Sequence, residues 1–438
     1  MTSFFVTLRI AAANLVQHGR RTVFLGTAIA AVTTLLVLLS GLSAGVRDSL
    51  VHTATTLSTG HVNVGGFFKV TAGQSGAVVT GVKQLRPVVA KAVPEMAFMV
   101  ERGRGWAKIV SDTSSTQSGI NGVDIVQEPE FKTVLSVTEG NLDELAKPDT
   151  ILLFSGIAQK LGVKVGDAIT ISAQTTRGVA NTIDCRVVAI AKDVGLLSKW
   201  NSFIPSETLR RLYQLRDDAT GALHIHLKED YIDQSVQVAA RLRTQLESAG
   251  YKVMEPAAQA FWMKFESVNR EAWTGQKLDV STWKDELSFM LWTLSLLDGL
   301  TVVLIIILVA IVVTGIMNTM WIAIRERTRE IGALRAIGMQ RGGVLRMFLA
   351  EAFMLGLVGT MIGSLLGAAI AFGINSAAID VPISVQLFLM SDQLRILVQP
   401  QALVFAIGLI TLITVAASFY PALRAARLRP VEAMSHFG

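Results

Sequence analysis

Six histidines, one cysteine and a dense run of arginines are the residues of this chain whose types and spacing bear on chemistry. The histidines are His18, His52, His61, His224, His226 and His436. His224 and His226 would share one face of a strand, and two imidazoles on a face could hold a metal. No third ligand stands near them in sequence. Cys185 sits in an apolar, strand-like stretch; a lone cysteine forms neither an internal disulfide nor a Cys-rich metal site. It reads as a small buried residue. HExxH does not occur, and the dipeptide Gly-Lys is missing throughout, so no Walker A loop is present to cradle a nucleotide phosphate. The expectation is a non-catalytic chain with no metal or cofactor of its own. What remains is RERTREIGALRAIGMQRG (325–342). Ile331, Leu334 and Ile337 fall at helical spacing and offer an apolar stripe, while Arg325, Arg327, Arg329 and Arg335 add charge. Glu326 and Glu330 sit in its early turn, where carboxylates suit the helix dipole. A short amphipathic helix of this kind docks into a partner protein. A plain basic loop that only sets topology is the alternative.

The elements around that run are apolar. Mean hydropathy is +0.48, and only 17% of residues are charged, which points to a membrane protein rather than a soluble one. The net charge of +6 does not indicate nucleic-acid binding, because the arginines cluster beside apolar runs and not in basic stripes. Four stretches reach the length of about 18 apolar residues that a spanning helix needs. They divide the chain into a cytoplasmic N-terminal segment (1–22), a first span (23–46), a large domain (47–285), a second span (286–322), an Arg-rich loop (323–346), a third span (347–375), a short loop (376–400), a fourth span (401–421) and a tail (422–438). Between Trp292 and Trp321 a helix would extend about 43 Å, and these tryptophans suit the two interfaces. The apolar core of the first span is too long for a cleaved signal peptide.

Direction follows from the short flanks. Arg9, Arg20 and Arg21 precede the first span, Arg325 to Arg346 fill the loop between the second and third, and Arg424, Arg427 and Arg429 follow the fourth. The link between the third and fourth carries only Asp380, Asp392 and Arg395. The positive-inside rule therefore places both termini and the Arg-rich loop in the cytoplasm of a multi-pass inner-membrane protein. In the third span, Gly359, Gly363 and Gly367 recur every four residues, a pattern that lets helix backbones approach in lipid, within the chain or across a dimer. Glu351 at the start of that span and Asp298 near the outer end of the second are expected to pair with an arginine or reach the interface.

The large domain reads as α+β. HVNVGGF (61–67), AITISA (168–173) and TIDCRVVAIA (182–191) look like strands, the first two by alternation. SGIAQKLG (155–162) reads as a short helix, followed by a Gly166-Asp167 turn. Ser206 is a candidate cap for SETLRRLYQL, with Leu209, Leu212 and Tyr213 on one face, and 235–250 is another amphipathic helix. Before the second span come Phe261, Trp262, Phe265, Trp273, Trp283 and Phe289. They are expected as packing residues and interface anchors, on a stalk helix that runs from Trp283 straight into the span.

The Arg-rich loop resembles the loop after the second span in the MacB/FtsX/LolC–LolE superfamily of ABC permeases. The ending YPALRAARLRPVEAM (420–434), the segment SGIAQKLGVKVGDAITI (155–171) and FLAEAFMLGLVGTMIGSLLG (348–367) resemble the same group in the same order. GHVNV (60–64) and TWKDEL (282–287) lean toward the lipoprotein-releasing branch. The resemblance implies four spans around a large periplasmic domain and a coupling helix over 325–337. It also implies an ABC ATPase subunit on another chain that binds the ATP and Mg, and a second permease copy or paralogue. Three functions accompany it. The first is mechanical release of lipoproteins or other amphiphiles from the inner membrane, with membrane lipid and periplasmic protein as contacts. The second is MacB-like tripartite efflux of drugs, peptides or toxins. The third is FtsX-like signalling to cell-wall hydrolases.

Overall fold

The computed structural model describes residues 2–17, 19–71, 74–175, 178–195, 197–379, 381–382, 386 and 393–428. His18, Asp380, Asp392, Arg429 and His436, with the part of the C-terminal motif after 428, lie outside the described residues. The chain divides into two compact units, 1–47 with 295–380 and 393–438, and 48–294 with 381–392.

The first unit is helical. It contains α1 (Thr2–Gln17), most of α2 (Gly19–Leu57), most of α10 (Ser288–Glu326), α11 (Thr328–Ala336), α12 (Arg341–Ser376) and α13 (Pro400–Ala426). Four of these helices, α2, α10, α12 and α13, are long and apolar enough to cross a membrane. Ile306 on α10 is 61% exposed, and Val302, Val303, Ile307 and Ile311 beside it are exposed as well. An apolar row left uncovered by its own chain suits contact with lipid or with another membrane helix. The inward row Val312, Ile316, Met320 and Ile324 packs with Ile29 and Val32 of α2, Phe348 of α12 and Ile410 of α13.

Helix α12 is the hub of this unit because it has two small-residue faces. A Cβ at Gly359 would meet Ile29 at 3.0 Å, one at Gly363 would meet the carbonyl oxygen of Ala30 at 2.4 Å, and one at Gly367 would meet Val37 at 3.0 Å. The stripe predicted from spacing therefore packs on α2 of the same chain, and Thr34 Oγ1 donates to the Gly363 carbonyl at 2.9 Å. The other face carries Gly356 and Thr360, which meet Thr414 and Thr411 of α13. At Gly363 the first obstacle to a side chain is backbone, which cannot turn aside; at 359 and 367 it is a side chain. Gly363→Ala is expected to cost about 1–3 kcal/mol and each of the other two clearly less. Melting of the detergent-solubilised protein should rank the variants in that order, and equal losses would contradict the packing.

At the other end of the spans, Asp298 of α10 accepts from Arg47 at 2.8 Å and from Ser43 at 2.7 Å. Asp298 thus has the arginine partner expected of an ionisable residue at a span's end.

The second unit is the α+β domain. Its strands are β1 (Val62–Thr71), β2 (Gln74–Gly76), β3 (Val79–Thr80), β4 (Met96–Val110), β5 (Ser115–Val123), β6 (Val137–Gly140), β7 (Thr150–Phe154), β8 (Ala168–Gln174), β9 (Ala180–Ala191), β10 (Asn201–Pro205), β11 (Ala219–Thr220), β12 (Ala222–Leu227) and β13 (Gly275–Thr282). Its helices are α3 (Val82–Ala92), α4 (Pro129–Val134), α5 (Ser155–Leu161), α6 (Ser206–Tyr213), α7 (Ser235–Ser248), α8 (Phe265–Arg270) and α9 (Trp283–Glu286). The main sheet runs β13-β1-β12-β4-β5-β10-β7-β9-β6, with β2 beside β1 and β8 bridging β4 and β9. The entry strand β1 and the exit strand β13 pair antiparallel from Val62↔Thr282 to Lys69↔Gly275. The domain therefore closes on itself between the two chain crossings.

Strand β4 joins two halves: Met96 to Arg102 pair with β12, and Gly103 to Val110 pair with β5. Helices α3 and α7 cover the first half over Val62, Val64, Leu223, Ile225 and Leu278. The second half packs Ile109, Ile120, Ile151, Ile169 and Val187 against α5 and α6. All three strands read from the sequence are present. In β1, however, 62–67 are buried on both faces, since the strand is central and covered on each side.

Two local expectations are corrected. Ser206 does not cap α6: Pro205 holds the cap position, and the Ser206 hydroxyl is buried without a hydrogen bond. The stalk helix is not unbroken from Trp283. Thr282 and Asp285 form a capping box that starts α9, Leu287 leaves helical geometry (φ −100°, ψ 13°), and α10 begins at Ser288. The aromatics ahead of it fold back onto the sheet, with Phe265 edge-on to Phe67 at 5.1 Å and Trp273 under Lys69 and Lys277 at 5.0 Å.

Candidate functional site

The Arg-rich connection forms the short helix α11 between two long ones. Arg327 breaks α10 (φ −100°, ψ 13°), and Gly338 at φ +106° ends the segment in a conformation that suits glycine. The residues of this segment do not lie on one surface. Arg327 is 5% exposed and donates Nη1 to Glu351 of α12 at 2.9 Å, and its Nε donates to Glu330 at 3.0 Å. Asn14 Nδ2 of α1 donates to the same Glu351 oxygen at 2.6 Å. Ile331 is 1% exposed and belongs to the core between the spans. These two residues are therefore corrected from docking surface to internal anchor, because α11 must bury one side of itself to stay against α12. Leu334 is half-buried, Ile337 is 86% exposed, and Arg325, Glu326, Arg329 and Glu330 are exposed. Arg335 is half-buried and donates to the carbonyl of Met339. The apolar surface left for a partner is Ile337 with Leu334 beside it, and Arg325 and Arg329 are exposed on the same connection.

The three buried histidines of the domain, His61, His224 and His226, are held neutral. Burial pushes His61 down to about 4 and His226 down to about 3. His61 Nδ1 accepts from the Leu227 amide at 2.9 Å, and His226 stacks on Phe98 at 4.3 Å. Among the described residues, no group of three His, Cys, Asp or Glu side chains is placed to hold a metal. Burial lifts the Cys185 thiol to about 12, which keeps it protonated and unreactive.

Several buried charges in the domain were not foreseen. Arg102 of β4 is 1% exposed and pairs with Glu128, while donating to the carbonyls of Leu57 at 2.9 Å and Thr56 at 3.2 Å at the end of α2. Arg104, two residues on, lies 3.8 Å from Glu286 of α9 and stacks on Phe261 at 3.7 Å. Lys264 pairs with Asp279 at 2.8 Å. The only hint in sequence is GRGW (103–106), where glycines flank an arginine in a strand.

Residues 24–247 match the MacB-like periplasmic core domain family, about half of the chain, and residues 302–430 match the FtsX-like permease C-terminal family. The macrolide export ATP-binding/permease protein MacB of Bordetella avium is 35% identical over 143 residues, covering 33% of this chain and 20% of that protein. The MacB protein of Agrobacterium fabrum is 24% identical over 446 residues, covering 98% of this chain and 60% of that one. The chain thus spans less than two thirds of the relatives it matches. Among solved structures, the periplasmic region of MacB from Actinobacillus actinomycetemcomitans covers 43% of this chain and 84% of that one at 12% identity and a TM-score of 0.29. With four apolar helices, an α+β domain between the first and second, and both family matches in order along it, the chain belongs to the MacB/FtsX superfamily of ABC-transporter permeases.

Proposed function

We propose that this chain is the membrane-spanning, non-catalytic subunit of an ABC transporter and converts ATP turnover on a separate ATPase chain into motion of its large domain. The observation that carries this reading is α11, a separate short helix between two spans that is anchored by Arg327–Glu351 and leaves Ile337 in solvent. An exposed apolar tip on a short, anchored helix is what a cleft in a partner protein takes up. In this reading α11 faces the cytoplasm with both termini, as the arginine distribution supports, and the domain lies on the periplasmic side of the inner membrane. ATP and Mg belong to the ATPase, and a second permease copy or paralogue completes the complex. The spans carry few polar side chains to line a channel, so cargo is handled at the outer face.

The match to MacB along 98% of the chain favours export of amphiphilic compounds in the manner of those macrolide exporters. Release of lipoproteins from the inner membrane is the second reading, supported by GHVNV and TWKDEL. An FtsX-like signalling role is disfavoured by the size of the domain.

Ile337→Asp and the pair Leu334→Asp with Ile337→Asp test the coupling assignment. Both should lower ATPase retention in a gentle-detergent pull-down by about tenfold or more, because a charge would enter an apolar contact. Ile337 is exposed, so its single variant should melt like wild type. Unchanged retention in a folded Ile337→Asp protein would end this assignment.

A further inference from the structure

Between the two halves of the domain lies a cleft of about 640 Å³, within the range that takes a small molecule. One wall is β4, which presents Arg104, Trp106 and Lys108 at alternate positions and so on one face. Tyr213, at the end of α6, and Phe261 and Phe265 supply further aromatic wall. Trp106 is 48% exposed, an unusual state for a tryptophan in the middle of a sheet.

Arg104 is the residue that needs explaining. Its side chain is only 5% exposed, yet no described residue accepts a hydrogen bond from it, and its Nε is buried without a partner. Glu286 stands 3.8 Å away, beyond hydrogen-bond distance. That carboxylate is satisfied elsewhere, accepting from Ser281 Oγ at 2.7 Å and from the Phe261 amide at 3.1 Å. Space for the guanidinium is reserved by Gly65, where a Cβ would lie 2.2 Å from Arg104 Nη2. Burial pushes its pKa down, against the pull of Glu286 and Asp279. A buried guanidinium with unused donors, stacked on an aromatic ring at the edge of a cleft, is poised for a planar anion that accepts two N–H bonds at once.

We propose that this cleft is a binding site for small molecules that join a carboxylate to a flat apolar body, with Arg104 holding the carboxylate and Trp106, Phe261 and Phe265 the body. Lys108 adds a second positive charge at the rim, and the two cations together exclude amines. The inference goes beyond the transport reading and holds whichever side of the membrane the domain faces. Because Glu286 opens into α9, just before α10, an anion on Arg104 would also compete with the contact nearest the chain's exit from the domain.

The test is isothermal titration of the full chain in lipid nanodiscs with 2-naphthoate, 2-naphthamide and 2-naphthylmethylamine, with empty nanodiscs subtracted. The acid should bind about tenfold or more tighter than the amide, and the amine should give no specific heat. Arg104→Met should abolish the preference for the acid. Trp106→Ala, at an exposed wall position, should weaken the acid several-fold without affecting folding. Glu286→Gln removes the competing carboxylate and should tighten the acid, which a purely structural arginine would not do. If Arg104→Met fails to fold, the Trp106 and Glu286 variants decide. Acid and amide binding equally, no binding of the acid, or variants that leave its affinity unchanged would each overturn the assignment.

Discussion

Glu351→Gln is expected to destabilise the helical unit by about 3–5 kcal/mol and to loosen α11 from the spans. The carboxylate is 4% exposed and receives Arg327 Nη1 at 2.9 Å and Asn14 Nδ2 at 2.6 Å. Removing its charge leaves Arg327 buried with Glu330, which is itself exposed, as its remaining counter-charge among the described residues. A buried ion pair adds little over an apolar pair of the same shape, but half of one is costly. The double replacement Arg327→Leu with Glu351→Leu should therefore recover most of the loss. Unfolding of the detergent-solubilised single and double variants measures the cycle, and additive losses would mean that the pair is not coupled. If α11 couples to an ATPase as proposed, the single variant should also lose ATPase retention while Ile337 remains intact, because the docking tip stays but its anchor does not.

The second large effect is expected at the entry to the domain. Glu128→Gln should cost a similar 3–5 kcal/mol, measured by thermal unfolding, because Arg102 is left charged at 1% exposure. Burial pushes the Glu128 carboxyl up, outweighing the opposing pull of Arg102. A buried ion pair repays little of its own desolvation, so Arg102→Met with Glu128→Leu should come close to wild type. It should not reach it, because Arg102 also donates to the carbonyls of Thr56 and Leu57 at the last turn of α2. Each lost bond there is worth about 1 kcal/mol. A double variant as unstable as the single one would show that these carbonyl bonds, and not the ion pair, are what Arg102 is for.

Both pairs mark a limit of sequence reading. The spans were legible because a bilayer demands a local property, about 20 apolar residues in a row, and no tertiary contact can supply a substitute. The strands 61–67, 168–173 and 182–191, the helix at 155–161 and the turn at Gly166 were legible for a similar reason, since periodicity and glycine act over a few residues. Spacing of four in Gly359, Gly363 and Gly367 announced a close helix contact, but not that its partner is Ile29 to Val37 of α2. Helical spacing likewise grouped Ile331 with Ile337, although α11 rests one against the spans and turns the other to solvent.

The sequence by itself thus determined the four apolar helices, the α+β domain between the first and second, the asymmetric arginines and the short helix after the second span. Each depends on hydrophobicity, charge or propensity summed over neighbouring residues. Only the tertiary structure decided that Arg327 meets Glu351, that Arg102 meets Glu128 and the end of α2, and that Arg104 stands over Phe261 at the cleft with its donors unused. Those meetings join residues from 24 to more than 150 positions apart. No local pattern records them, because whether an arginine is solvated or buried is a property of what the rest of the chain brings to it.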